Sequence, residues 1–128
     1  MALTQYALEK LQGFPLHPVA AETATFTGAT TNIADLGAFE GDILVLLDSG
    51  AAAASGTMTG KLQHSADGST SWEDVTGGGF TAVAQAASRQ TLVLNGDDLR
   101  RYIRFVGTIA ASGTTTYSVV GFALKKYD

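Results

Sequence analysis

KLQHSADGSTSWEDV, Lys61 to Val75, is the stretch on which the reading of this chain turns. From Thr57 the residues alternate: Met58, Gly60, Leu62 and His64 share one phase, and Thr59, Lys61, Gln63 and Ser65 share the other. That is the period of a half-buried strand. Ala66-Asp67-Gly68-Ser69-Thr70 then breaks the pattern with a turn former, a glycine free to take positive φ, and hydroxyls able to bond nearby backbone. Ser71 to Thr76 returns as a strand, so the stretch predicts a hairpin. Strict alternation pairs Trp72 with Asp74 and Val75 with Glu73, and a bulge is required if Trp72 and Val75 are both to be buried.

Working outward, short threonine-rich and β-branched runs near 22–27, 30–36, 42–48, 79–84 and 89–94 are separated by glycine-rich punctuation. ILVLL, Ile43 to Leu47, is apolar throughout and fenced by Asp42 and Asp48, the pattern of a central strand covered on both sides. SGAAAASG, Ser49 to Gly56, offers little to pack and predicts an exposed, mobile loop; Gly77-Gly78-Gly79 predicts an exposed connection. At the C-terminal end, Ile103, Phe105 and Ile109 share one phase, and RRYIRFVGTIA and TTTYSVVGFALKKY read as a long hairpin joined through Ala111-Ser112-Gly113. Upstream, residues 3–12 place Leu3, Ala7 and Lys10 or Leu11 at helical spacing, with Gly13 as the stop. Pro15 and Pro18 make Gly13 to Ala20 an extended arm, whose Phe14, Leu16 and Val19 either cover the domain's own edge or reach a neighbouring subunit. The expectation is an all-β fold, an antiparallel β-sandwich or jelly-roll-like barrel of about eight strands spanning 21–128, preceded by a helix and arm over 1–20.

The totals agree. The chain has 128 residues, enough for one domain with one core. Twenty of its apolar residues are alanine, whereas Leu, Ile, Val and Phe number 31. A core of that modest size suits thin, turn-rich sheets better than a helical bundle. Without cysteine, neither disulfides, a thiol nucleophile nor a cysteine zinc site is available. No secretory signal and no transmembrane run is recognisable, so synthesis in the cytoplasm and no membrane partner are expected. The net charge of −4 divides into −7 over residues 1–88, which hold two basic and nine acidic groups, and +3 over 89–128, with six basic and three acidic. This balance does not favour nucleic acid.

Catalytic patterns are weak. Asp67, Ser69, Ser71 and Glu73 alternate oxygen ligands, but Gly68 stands second where a calcium loop requires a glycine sixth, so turn chemistry is preferred. His17 and His64 lack a third ligand at metal spacing. No glycine-x-serine-x-glycine elbow exists, and adjacent Glu73 and Asp74 face opposite sides of a strand. No enzyme activity, metal or cofactor is expected. Arg100, Arg101 and Arg104 beside Tyr102 form a basic cluster that Asp97 and Asp98 offset, favouring ion pairs within or between subunits. Trp72 reads as a core or interface anchor, with a sugar-stacking platform as the alternative.

GKLQHSADGSTSWEDVTG and RRYIRFVGTIAASGTTTYSVVGFAL, together covering about 56–126, resemble small virion structural proteins of tailed bacteriophages, most of all capsid decoration proteins. The resemblance implies a β-rich subunit on the capsid exterior that binds the major capsid protein and stabilises the lattice, as a homo-oligomer, commonly a trimer. The interface residues expected under this reading are Phe14, Leu16, His17, Val19, Arg100, Arg101 and Arg104, with Ser49 to Gly56 at the lattice-exposed tip. RYIRF is also similar to segments of discoidin-type sugar-binding jelly rolls, which makes a carbohydrate-binding adhesin, or a head-fibre or tail module for host attachment, the second reading, with Trp72 as its stacking residue.

Overall fold

The computed structural model describes residues 11–125. It contains nine strands: β1 Leu11–Glu22, β2 Phe26–Thr27, β3 Ala34–Asp35, β4 Phe39–Ser49, β5 Thr57–Ser65, β6 Glu73–Gly79, β7 Ser88–Asn95, β8 Tyr102–Ala110 and β9 Thr115–Lys125. Three single 3₁₀ turns at Thr30–Asn32, Leu36–Ala38 and Gly96–Asp98 are the helical segments among the described residues. One sheet has the order β1-β9-β4-β7 and the other β2-β8-β5-β6, with β3 also paired to β8. All named pairings are antiparallel. Apart from β2 with β3 and the adjacent pair β5 and β6, consecutive strands lie in opposite layers, and the all-β sandwich expected from the alternation is what the chain forms.

The two sheets bury one core between them. Leu16, Ile43, Val45, Leu47 and Val119 project from the four-stranded sheet against Met58, Leu62, Ile103 and Phe105 from the five-stranded one. Each such side chain contributes roughly 1.5–3 kcal/mol through removal from water. Gly60 and Gly107 stand directly opposite each other in β5 and β8. A Cβ at Gly60 would lie 2.5 Å from the Phe105 ring, and one at Gly107 would lie 2.6 Å from the Tyr117 hydroxyl. The two missing side chains make the slot in which those rings meet, 5.7 Å between centroids.

Four expectations are corrected. The C-terminal strands are not a hairpin: β8 belongs to one sheet and β9 to the other. Ala111 and Ser112, both at positive φ, turn the chain across the sandwich. Phe105 and Tyr117 therefore meet as facing layers. ILVLL is a central strand but covered on one side only, with Ile43, Val45 and Leu47 inward and Leu44 38% exposed. Ser49–Gly56 is pinned: Ala52 is buried, its N–H donates to Ala84 O at 2.6 Å, and Ala53 N–H donates to Thr114 O at 2.9 Å. Gly77–Gly79 closes β6, and Gly78 is buried there. The helix expected over 3–12 lies outside the described residues except for Leu11 and Gln12, which are strand.

Candidate interaction surfaces

The 13–20 arm is extended, and as part of β1 it runs along the edge of the four-stranded sheet against β9. Phe14 and Leu16 enter the core, while Val19 is 76% exposed. Register shifts on either side of His17 relieve the strand around Pro15 and Pro18, neither of which has an N–H to donate. His17 is wholly enclosed. Its ring stacks on Tyr117 with centroids 4.0 Å apart and meets Phe26 edge-on at 4.4 Å. Nδ1 lies 3.0 Å from Tyr117 O, and Nε2 lies 2.8 Å from Glu22 Oε2. Burial pushes the Tyr117 hydroxyl well above the ordinary tyrosine range, with Glu22 adding to the effect. Phe14, Leu16 and His17 thus cover the domain's own edge, and Val19 is the arm residue left outside.

The arginines sit at and beyond the start of β8. Arg101 Nε and Nη2 donate to Asp35 at 2.9 and 3.0 Å. This hydrogen bonding holds the Asp35 carboxyl below its usual range, against a partial opposing effect of burial. Arg100 pairs with Glu73, and its backbone N–H donates to His64 Nδ1 at 3.3 Å. Burial, then the Arg100 cation, lowers the His64 pKa, while Glu73 works the other way. Arg100 and Arg101 border an open cavity of about 370 Å³ with Leu36, Phe39, Ile43 and Leu99.

Arg104 lies apart from them, on the outer face of the five-stranded sheet. Its guanidinium donates twice to Gln63 Oε1, at 3.0 and 2.8 Å, and covers one face of Trp72 at 4.1 Å from the ring centroid. Gln63 in turn donates to Asp74, which also accepts from Lys61. Those two hydrogen bonds hold the Asp74 carboxyl below its ordinary value. Asp74 stands opposite Gln63, so Trp72 and Asp74 share the outer side while Val75 is buried. Strict alternation holds through Val75. The irregularity comes after it, where the pairing jumps from Gln63↔Asp74 to Lys61↔Gly79.

The loop Ala66–Trp72 is organised by Asp67. Its carboxylate accepts from Ser69 N–H, Thr70 N–H, Thr70 Oγ1 and Ser65 Oγ, at 2.6 to 2.9 Å. The Thr70 hydroxyl leads the set that drives the Asp67 pKa far below the carboxylate norm. Gly68, at φ +76°, packs its backbone on Tyr102, so the loop folds over the sheet. Among the described residues, no three or more His, Asp or Glu gather as a metal site.

One surface escapes the sequence reading. On the outer side of the four-stranded sheet, Leu11, Leu124, Phe122, Leu44 and Val93 form an open apolar groove of about 380 Å³. Its signal was present in the outward phase of β9 (Val120, Phe122, Leu124) and β4 (Leu44, Leu46). An all-apolar strand has no polar phase to say which side lacks a cover.

No protein-family model and no curated protein matches the chain. Solved structures do. The infectious bursal disease virus VP2 subviral particle superposes with a TM-score of 0.55 at 11% identity over 91% of this chain, which spans 32% of that one. The SPBc2 prophage-derived protein YomS gives 0.51 at 12% identity over 90% of this chain and 93% of its own. Murine APRIL gives 0.54 at 12% identity over 90% of this chain and 99% of its own. These likenesses define a class of fold, the two-sheet jelly-roll sandwich found in viral capsid proteins and elsewhere.

Proposed function

We propose that the protein is a non-catalytic virion component of a tailed bacteriophage that binds the outer surface of the capsid lattice, contacts the major capsid protein, and acts as a homo-oligomer, with a trimer favoured. The observation carrying this reading is the jelly-roll likeness to a virus capsid protein over 91% of the chain, joined by near full-length likeness to a prophage protein. The motifs of β5, the Asp67 loop and β8 support it. Affinity arises from many modest contacts, because several subunits docking on a repeated lattice multiply weak affinities through avidity.

Val19 and the arginine-bearing end formed by Arg100 and Arg101 are the docking residues in this reading, with Arg104 bracing Trp72 nearby. Deleting residues 1–20 is an unsuitable test, since it also removes Phe14, Leu16 and His17 from the core. Point changes are cleaner: purified protein should co-sediment with emptied phage heads, and Val19→Asp or Arg100→Glu with Arg101→Glu should weaken this at least tenfold while circular dichroism stays unchanged. Exposed ion pairs contribute only about 0–1 kcal/mol to stability, so the arginine changes leave the fold intact. Unaltered binding by both variants refutes the docking assignment, and failure of the wild type to bind any head refutes the function.

A sugar-binding reading rests on Trp72, which is partly exposed with one face already taken by Arg104. Under that reading, Trp72→Ala abolishes glycan retention and leaves head binding intact.

A further inference from the structure

We propose that His64 is a proton-operated catch on the start of β8, holding the Arg100 backbone while its ring is neutral and releasing it when the ring is charged. His64 stands near the end of β5, half-buried, with Ile103 opposite on β8 and Glu73 opposite on β6. The Arg100 N–H donates to its Nδ1 at 3.3 Å. A backbone amide can only donate, so Nδ1 is an acceptor and the proton of the neutral ring sits on Nε2. Adding a proton to Nδ1 turns this contact into two donors face to face.

Two charged groups bear on the ring: the Arg100 guanidinium, and the Glu73 carboxylate that Arg100 already holds. Across the pairing, β8 presents the uncharged Ile103. On β5 and its loop, Lys61 is bonded to Asp74, and Asp67 is committed to Ser65, Ser69 and Thr70. A charged His64 therefore competes with Arg100 for one carboxylate, and loss of the Nδ1 acceptor frees the Arg100 peptide. Burial and then the Arg100 cation resist that charge, so it arrives below the pH at which an ordinary imidazole titrates. With the folded value below the unfolded one, the catch is complete above the ordinary imidazole range and is lost as pH falls through the folded value. The release stays local, because the residues on either side are held separately: Leu99 N–H donates to Gly96 O at 3.2 Å, and Arg101 O accepts from Leu36 N–H at 2.7 Å. Arg100 borders the 370 Å³ cavity, so acidification alters the wall of that cavity while the sandwich persists. This inference stands independently of the virion reading.

The chain has one other histidine, His17, which makes the test direct. In a nuclear magnetic resonance titration of the full chain from about pH 8 to pH 5, the His64 ring and the Arg100 amide should move with one shared midpoint, below that of a free imidazole. Below that midpoint, solvent exchange of the Arg100 amide should rise severalfold, with far-ultraviolet circular dichroism unchanged. His64→Asn replaces Nδ1 by an oxygen acceptor that does not titrate, so in this variant the Arg100 amide should stay protected throughout, and any remaining response belongs to His17. Glu73→Gln removes the anion that favours the charged ring and should move the His64 midpoint further down. An Arg100 amide that keeps its shift and exchange rate while His64 titrates would overturn the proposal. So would the same pH response in the His64→Asn protein.

Discussion

His17 faces two acceptors. Nδ1 lies 3.0 Å from the Tyr117 carbonyl oxygen and Nε2 lies 2.8 Å from a Glu22 carboxylate oxygen, so a fully buried ring is tied to two partners at once. These two contacts, with the stacking on Tyr117 and the edge-on packing of Phe26, fasten the middle of β1 to the sandwich. His17→Ala leaves a cavity, a carbonyl without its partner and a lone carboxylate, and is expected to cost about 2–4 kcal/mol in urea unfolding. Glu22→Gln keeps an acceptor for Nε2 and should cost less. At the other side of the molecule, Asp67 organises its loop as an anion. Its folded pKa lies below the unfolded value, so the stabilisation is complete above the ordinary carboxylate range and is lost as pH falls through the folded pKa. A carbon-detected titration of Asp67 should therefore show a midpoint well below that of a free aspartate. Asp67→Asn should increase amide exchange at Ser69 and Thr70 at neutral pH and remove the acid-dependent change.

Among the elements, the Ser49–Gly56 connection shows how composition and packing part company. Its four consecutive alanines look featureless, yet Ala52 is buried and hydrogen-bonded to Ala84, and Gly56 lies against Gly113 where a Cβ has no room. Ala53, Ala54 and Ser55 form the exposed tip. Ala52→Asp is expected to destabilise by about 2–3 kcal/mol, since it buries an unpaired charge. A four-residue glycine-serine insertion between Ala54 and Ser55 should cost less than about 1 kcal/mol, because loop closure grows slowly with length. Thermal unfolding of the two variants side by side separates these outcomes; equal losses would mean the tip is not free. The same contrast explains the arm. Proline-bearing, extended and apolar, Gly13–Ala20 was recognisable as non-helical, but whether its apolar side turns inward depends on β9, about a hundred residues away.

At the scale of the whole molecule, one core is shared by both sheets, with Phe14, Leu16 and Val119 on one side and Met58, Leu62 and Phe105 on the other. Neither layer has a second apolar interior to survive on. Unfolding of the described domain should therefore be a single transition in which Trp72 fluorescence and far-ultraviolet circular dichroism coincide. Two separated transitions would show that the layers are independent. The arrangement also limits where a binding surface can lie, since the inner faces are consumed by the core and only outer faces, edges and loop ends remain.

What the residues determined alone was local: the period of two in β5 and β8, the Asp67-Gly68 break, the absence of thiols, and hence an all-β sandwich. Local pattern reports that a strand has two sides, because successive side chains alternate by geometry. It carries no information on what stands opposite each side. That was decided by tertiary structure, through contacts such as His17 with Tyr117, Gln63 with Arg104 and Phe14 with Gly121, each between residues more than forty positions apart. For the same reason only the packed structure could send β8 and β9 to opposite layers, turn Phe14, Leu16 and His17 inward, and leave Leu44 and Val93 facing out. Pairing energy depends on partners brought together by the folded chain, and those partners are not neighbours in sequence.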